Sequence, residues 1–109
     1  MSPINLLATL TPAPGHAAAL RAGLLAITSS SRQEHGCERY EVLESGEADT
    51  LRFHVIERFT DEAALAAHGD SEHFRIFSAH FGEWLTRPPE VIRAREVAES
   101  CQAELESFR

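Results

Sequence analysis

The sequence predicts a single α+β domain built on a four-stranded antiparallel sheet with helices on one face. Three observations predict it. Period-two and helical apolar patterns follow one another in the order strand, helix, strand, strand, helix pair, strand. Proline and glycine mark the boundaries, and a polar, glycine-containing segment joins the two middle strands as a hairpin. The chain has 109 residues, 43% hydrophobic and 25% charged, which is globular composition at a length that buries one core.

In the first strand, residues 4–11, Ile4, Leu6, Ala8 and Leu10 share one face and Asn5, Leu7, Thr9 and Thr11 the other. Pro12 and Pro14 lack the amide donor that a ladder needs and end it. Ala17, Leu20, Leu24 and Ile27 then recur at helical spacing, so a long helix is expected over about 16–33, closed by Gly36 in the left-handed region open to glycine. Residues 37–43, with Tyr40 and Val42, are expected as the second strand. Residues 50–59, with Leu51, Phe53, Val55, Ile56 and Phe59, are the third, paired antiparallel with the second across 44–49. Thr60 and Asp61 are N-cap candidates for a short helix over 62–68, and Ser71 caps another that runs to the stop at Arg87-Pro88-Pro89. A fourth strand is expected within 90–98. The tail, 99–109, carries Cys101, Leu105 and Phe108 at helical spacing and is open between a short helix and an arm on a partner.

This succession is the split β-α-β pattern of a ferredoxin-like sheet. With helices on one side only, the other face, bearing Leu7, Ile56 and either Val91 or Ile92, needs a second apolar layer. The sheet of a second copy is the economical source, so a homodimer forming a dimeric α+β barrel is expected.

Composition narrows the function. Ten basic against seventeen acidic residues give a formal charge of -7, which disfavours a phosphate-tracking surface and hence nucleic acid. All the basic residues are arginine, which excludes lysine Schiff bases, lysine-anchored pyridoxal phosphate and the GxxxxGK[ST] phosphate loop. Cys37 and Cys101 form no CxxC pair, so neither a zinc ribbon nor a disulfide scaffold is signalled and a reducing compartment fits. The start has no basic n-region and meets Pro12 before any long apolar run, so no signal peptide or membrane span is read there and a cytoplasmic location is expected.

Two places carry candidate chemistry. Alternation puts Glu57 on the same face as Phe53, Val55 and Phe59, where a buried carboxylate is costly unless partnered. Either it orients a histidine or handles a proton, with its pKa raised by desolvation, or it is a structural acid bonded to backbone or arginine. On the helix after Ser71, Phe74, Phe77, Phe81, Trp84 and Leu85 form an apolar stripe with His73 and His80 along its edge, which gathers half of the chain's aromatic residues. Core packing explains such a stripe; so does an aromatic-lined pocket with imidazoles at its rim. His68 and His73 are five apart, which matches neither HExxH nor ExxH, so metal is only weakly signalled. Ser29, Ser30 and Ser31 lie in a helix without a GxSxG elbow, and Cys37 reads as a small buried hydrophobe.

The run Pro14-Gly15, Ser31-Arg32-Gln33-Glu34-His35-Gly36-Cys37 with Tyr40, Glu57-Arg58-Phe59, Asp61, Ala64-Leu65, His68, Ser71 and His73-Phe74 resembles the antibiotic biosynthesis monooxygenase (ABM) family, small dimeric ferredoxin-like proteins, over about residues 4–97. The resemblance implies oxygenation of an electron-rich aromatic, such as a quinol or anthrone, by molecular oxygen as co-substrate with no flavin, haem or metal. For that chemistry the residues expected to act are His73 in proton handling, His68 and Glu57 as orienting or relay groups, and Phe53, Phe59, Phe74, Phe77 and Trp84 in ring contact. The haem-degrading branch looks to use an asparagine, a tryptophan and a histidine where this chain has Ala8, Phe59 and Ser78, which disfavours that activity. Two alternatives stay open. One is an isomerase of a small phosphorylated metabolite, which would want arginines such as Arg32, Arg39, Arg52, Arg58 or Arg75 in the pocket; the other is a non-enzymatic dimer that binds a hydrophobic ligand.

Overall fold

The computed structural model describes residues 2–98. The elements run β1 (Ile4–Leu10), α1 (Ala17–Ser31), β2 (Cys37–Ser45), a 3-10 turn (Ala48–Thr50), β3 (Arg52–Phe59), α2 (Glu62–Gly69), α3 (Glu72–Ser78), α4 (Phe81–Trp84) and β4 (Glu90–Ala94). The four strands form one antiparallel sheet in the order β2-β3-β1-β4, the expected ferredoxin-like arrangement. The tail from residue 99 lies outside the described residues. Among those described, no helix is long and apolar enough to cross a membrane.

Strand alternation sorts the two faces. In β3, Phe53, Val55, Glu57 and Phe59 are buried, and they share the inner face with Ile4, Ala8 and Leu10 of β1 and Tyr40 of β2. Leu20, Leu24 and Ile27 of α1 and Phe77 of α3 close over them. On the outer face Leu7 pairs with Ile56 on one side and Ile92 on the other, while Leu43 lies on β2 nearby. Leu7, Leu43 and Ile92 are exposed.

The structure departs from the sequence reading at four boundaries. The helix expected from Ser71 to Arg87 breaks at Ala79-His80 into α3 and α4. Leu85 forms an isolated bridge with Pro12, the Ala13 amide donates to the Trp84 carbonyl at 2.7 Å and the Thr86 amide donates to the Thr11 carbonyl at 3.0 Å. That pairing with the exit of β1 draws the chain into extended form before the prolines are reached. Gly36 does not cap α1, which ends at Ser31 with Arg32 in right-handed geometry. A Cβ on Gly36 would lie 2.3 Å from Ala64 Cβ, so the glycine serves the close approach of the start of β2 to α2. The hairpin lies two residues later than expected: Gly46, with φ of +77°, and the 3-10 turn carry β2 on to Ser45 and delay β3 until Arg52. Finally, β4 stops at Ala94.

Candidate functional site

Local structure brings three segments together around His68. Asp61 caps α2 by accepting the Ala64 amide, and the last turn of that helix carries His68 beneath the sheet, 4% exposed. Ser71 joins α2 to α3: its hydroxyl donates to the His68 carbonyl at 2.6 Å and accepts the Phe74 amide at 3.2 Å. This fixes the spacing of His68 and His73. Glu34 arrives in the turn after α1, where its amide donates to the Ser31 carbonyl and its carbonyl accepts the Cys37 amide.

The Glu34 carboxylate receives both imidazoles. His68 Nδ1 lies 2.9 Å from Glu34 Oε2 and 3.2 Å from Oε1, and His73 Nε2 donates to the same Oε2. An ionised carboxylate only accepts, so both ring nitrogens carry hydrogen, and a neutral His68 therefore has a bare Nε2. That nitrogen faces Glu57 Oε1 at 3.8 Å. The His68 ring packs against Phe59, Phe74 and Tyr40 at centroid separations of 5.1, 5.3 and 5.7 Å.

Burial sets the electrostatics. Desolvation, and then the negative charge of Glu34, pushes the Glu57 carboxyl up to about 7. Desolvation and the charge of Glu57 push the Tyr40 phenol well above its ordinary value, so Tyr40 stays protonated at neutral pH. The Cys37 thiol is also raised, by burial and then by Glu34, as expected of a packing cysteine.

Two openings flank this cluster. A cavity of about 190 Å³ lies between the sheet and the helices, with Leu6, Ala8, Leu10, Tyr40, Val55 and Glu57 on the sheet side and Leu65, His68, Phe74, Phe77 and Phe81 on the helical side. Among the described residues its ionisable lining side chains are Tyr40, Glu57 and His68, and none is an arginine. A separate groove of about 260 Å³ runs between α1 and the α3–α4 segment, lined by His73, Ile76, His80 and Trp84 over Gly23 and Ile27. There His80 stacks on Trp84 at 4.1 Å and 7°.

Glu57, His68, Phe74 and Phe77 therefore meet at the cavity. His73 reaches them only through Glu34 and borders the groove, as does Trp84. Phe53 and Phe59 are fully buried and line neither opening; Phe59 supports the His68 ring from behind. Sequence reasoning assigned no role to Glu34, Tyr40 or Phe81. Glu34 was read as part of a helix end, although it belongs to the family-like run, and Tyr40 becomes visible only once the shift between Cys37 and Arg39 sets it opposite Glu57.

Glu34, His68 and His73 also hold their donor atoms within 4.8 Å of one another, the spacing a metal ion would need. In the hydrogen-bonded arrangement these atoms bond to one another within the trio.

Comparison with known proteins places relatives beside this chain. The family model described as antibiotic biosynthesis monooxygenase matches residues 3–80, in agreement with the motif resemblance. Rv0793 of Mycobacterium tuberculosis, provisionally named a monooxygenase, is 38% identical over 90 residues, which is 83% of this chain and 87% of that protein. YcnE of Bacillus subtilis, named in the same way, is 37% identical over 68 residues, covering 62% of this chain and 70% of its own. The solved structure of Rv0793 superposes with a TM-score of 0.83 and covers 91% of this chain and 99% of that one at 36% identity. PA3566 of Pseudomonas aeruginosa gives a TM-score of 0.81 at 37% identity, covering 90% and 97%.

Proposed function

Because the chain belongs to the antibiotic biosynthesis monooxygenase family, we propose that it oxygenates an electron-rich aromatic of the quinol or anthrone kind with molecular oxygen and no cofactor. One observation carries this reading: a carboxyl group pushed up to about 7 in the wall of a largely apolar cavity, with His68 and Tyr40 beside it. Such a group is a base matched to neutral pH, and the dry wall around it favours a proton transfer that water would level. At about 190 Å³ the space is below the roughly 300 Å³ at which drug-sized pockets begin, so the guest is a small ring system.

Glu57 takes a proton from the bound ring, leaving an anion electron-rich enough to reduce oxygen directly. The atoms balance without an external reductant. An anthrone-type CH2 becomes C=O with one oxygen atom, and its two hydrogens leave with the other as water; a quinol gives a hydroxyquinone and water in the same way. Phe74, Phe77 and Phe81 hold the ring, and Tyr40, kept protonated, donates a hydrogen bond to the oxygen that becomes negative. Among the described residues the lining carries a carboxyl and no arginine, which favours a neutral aromatic over a phosphorylated substrate.

The reaction is completed by a pair of these domains. The outer sheet face bears the apolar row Leu7, Ile56 and Ile92 with no helix over it, and a second copy of the same row is its cover.

The test is oxygen uptake with reduced menadione or an anthrone, measured against protein-free autoxidation and repeated with a strong metal chelator. Excess uptake that survives the chelator and is lost in Glu57→Gln is expected. Uptake abolished by the chelator would overturn the cofactor-free reading, and no excess uptake with any ring system would favour a ligand-binding dimer.

A further inference from the structure

Glu34 does not line the cavity, yet it holds both histidines. His68 borders the cavity; His73 borders the separate groove between α1 and the α3–α4 segment. The side chains are 9% exposed at Glu57, 5% at His68, 17% at Glu34 and 26% at His73. A polar row thus crosses the apolar layer from an enclosed end to a wetted one. Glu34 is faced by Cys37 from β2, by His68 from α2 and by His73 from α3, with Tyr40 and Glu57 beyond His68.

We propose that Glu34 is the bridge of a proton exit, carrying the substrate's proton from His68 at the cavity to His73 at the groove, so that guest and proton leave by different routes. The inference rests on the deprotonation proposed above. The substrate's O–H or C–H bond breaks, its electron pair stays on the ring, and the proton passes to Glu57. Glu57 delivers it to the bare Nε2 of His68, and the hydrogen on Nδ1 moves to Glu34. The His73 ring, partly exposed, turns so that its bare Nδ1 takes the proton from Glu34, and the hydrogen on Nε2 leaves to water in the groove. One proton enters the row and one leaves, and no electron moves along it. The 3.8 Å gap between Glu57 and His68 exceeds a hydrogen bond and closes with a movement of about 1 Å. Glu34 is a positioning and relay group; it does not touch the substrate.

The experiment compares the full chain with Glu34→Gln and Glu34→Asp. In the first arm, 15N-histidine NMR reads which ring nitrogen carries hydrogen. The parent is expected to show it on Nδ1 of His68 and Nε2 of His73, and Glu34→Gln to change at least one of the two, while the other histidines are unchanged. In the second arm, 4-nitrophenol is mixed with the protein and absorbance follows its ionisation. Glu34→Gln should slow that step by about tenfold or more, added imidazole should restore it, and Glu34→Asp should fall between.

Hydrogen on Nε2 of His68 in the parent chain would overturn the relay, as would unslowed ionisation in Glu34→Gln without added buffer. A merely structural role for Glu34 would not be rescued by imidazole. Should both arms succeed while no quinol or anthrone is oxygenated, the oxygenase reading falls and the relay stands. Oxygen uptake that is unchanged in Glu34→Gln would leave the oxygenase and remove the relay.

Discussion

Replacing Glu57 by Gln isolates the electrostatic cost on which the site depends. An unperturbed glutamate ionises near 4.5, whereas burial and then the charge of Glu34 raise this one to about 7. Between those values the unfolded chain gives up a proton that the folded protein keeps, so the wild type loses stability as pH rises. Below the lower value both states are protonated and the effect vanishes; above the upper value both are ionised and the full penalty is present. The span from 4.5 to about 7, at about 1.4 kcal/mol per pH unit, amounts to about 3 kcal/mol. Glutamine has nearly the same shape and does not titrate. The stability of Glu57→Gln relative to wild type should therefore rise by about 3 kcal/mol between about pH 4 and pH 8, mostly between about pH 5 and pH 7. Urea denaturation of both proteins across that range measures it, and taking the difference at each pH cancels the other titrating groups. A difference that stays flat within about 0.5 kcal/mol would refute the argument, because Glu57 would then titrate alike folded and unfolded.

Gly36→Ala should cost about 1–3 kcal/mol because its Cβ would meet Ala64 Cβ at 2.3 Å, and the double variant with Ala64→Gly should recover most of that in the same denaturation assay. Phe59→Ala removes a fully buried ring and should cost about 3–5 kcal/mol; a loss under about 1 kcal/mol would show that the site behind His68 collapses freely. Ser71→Ala removes the cap of α3 and the bond to the His68 carbonyl, so a loss of about 1 kcal/mol is expected by thermal or chemical unfolding. The parent should sediment as a dimer and Ile92→Glu, on the exposed outer face, as a folded monomer; sedimentation at equal mass for both proteins would exclude this face as the interface.

The sheet was readable in the sequence because its physics is local. Ile4, Leu6, Ala8 and Leu10 alternate without interruption, and Phe53, Val55, Glu57 and Phe59 do the same, so the inward placement of Glu57 followed from its neighbours. Asp61 and Ser71 were legible as caps for the same reason. The break at Ala79-His80 was hidden because its cause, the pairing of Leu85 with Pro12, spans most of the chain. The role of Gly36 was misread because a glycine required by a crowded approach looks the same in sequence as one required by a turn. Glu34 went unassigned because its two partners, at positions 68 and 73, belong to helices whose orientation only the folded chain fixes. A candidate ring contact such as Phe53 and a true lining residue such as Phe81 are equally apolar on paper; strand phase buries the first and the helix break exposes the second to the cavity.

The interruption between α3 and α4 divides the helical wall of the cavity into two segments that touch through Phe77 and Phe81 but are tied to different parts of the chain. Phe74 and Phe77 ride on the segment tethered to His68 through Ser71, whereas Phe81 rides on the one stitched to the start of the chain at Thr11, Pro12 and Ala13. One side of that wall is thus anchored by the turn that also carries His68, the other by the exit of the first strand, more than sixty residues away in sequence.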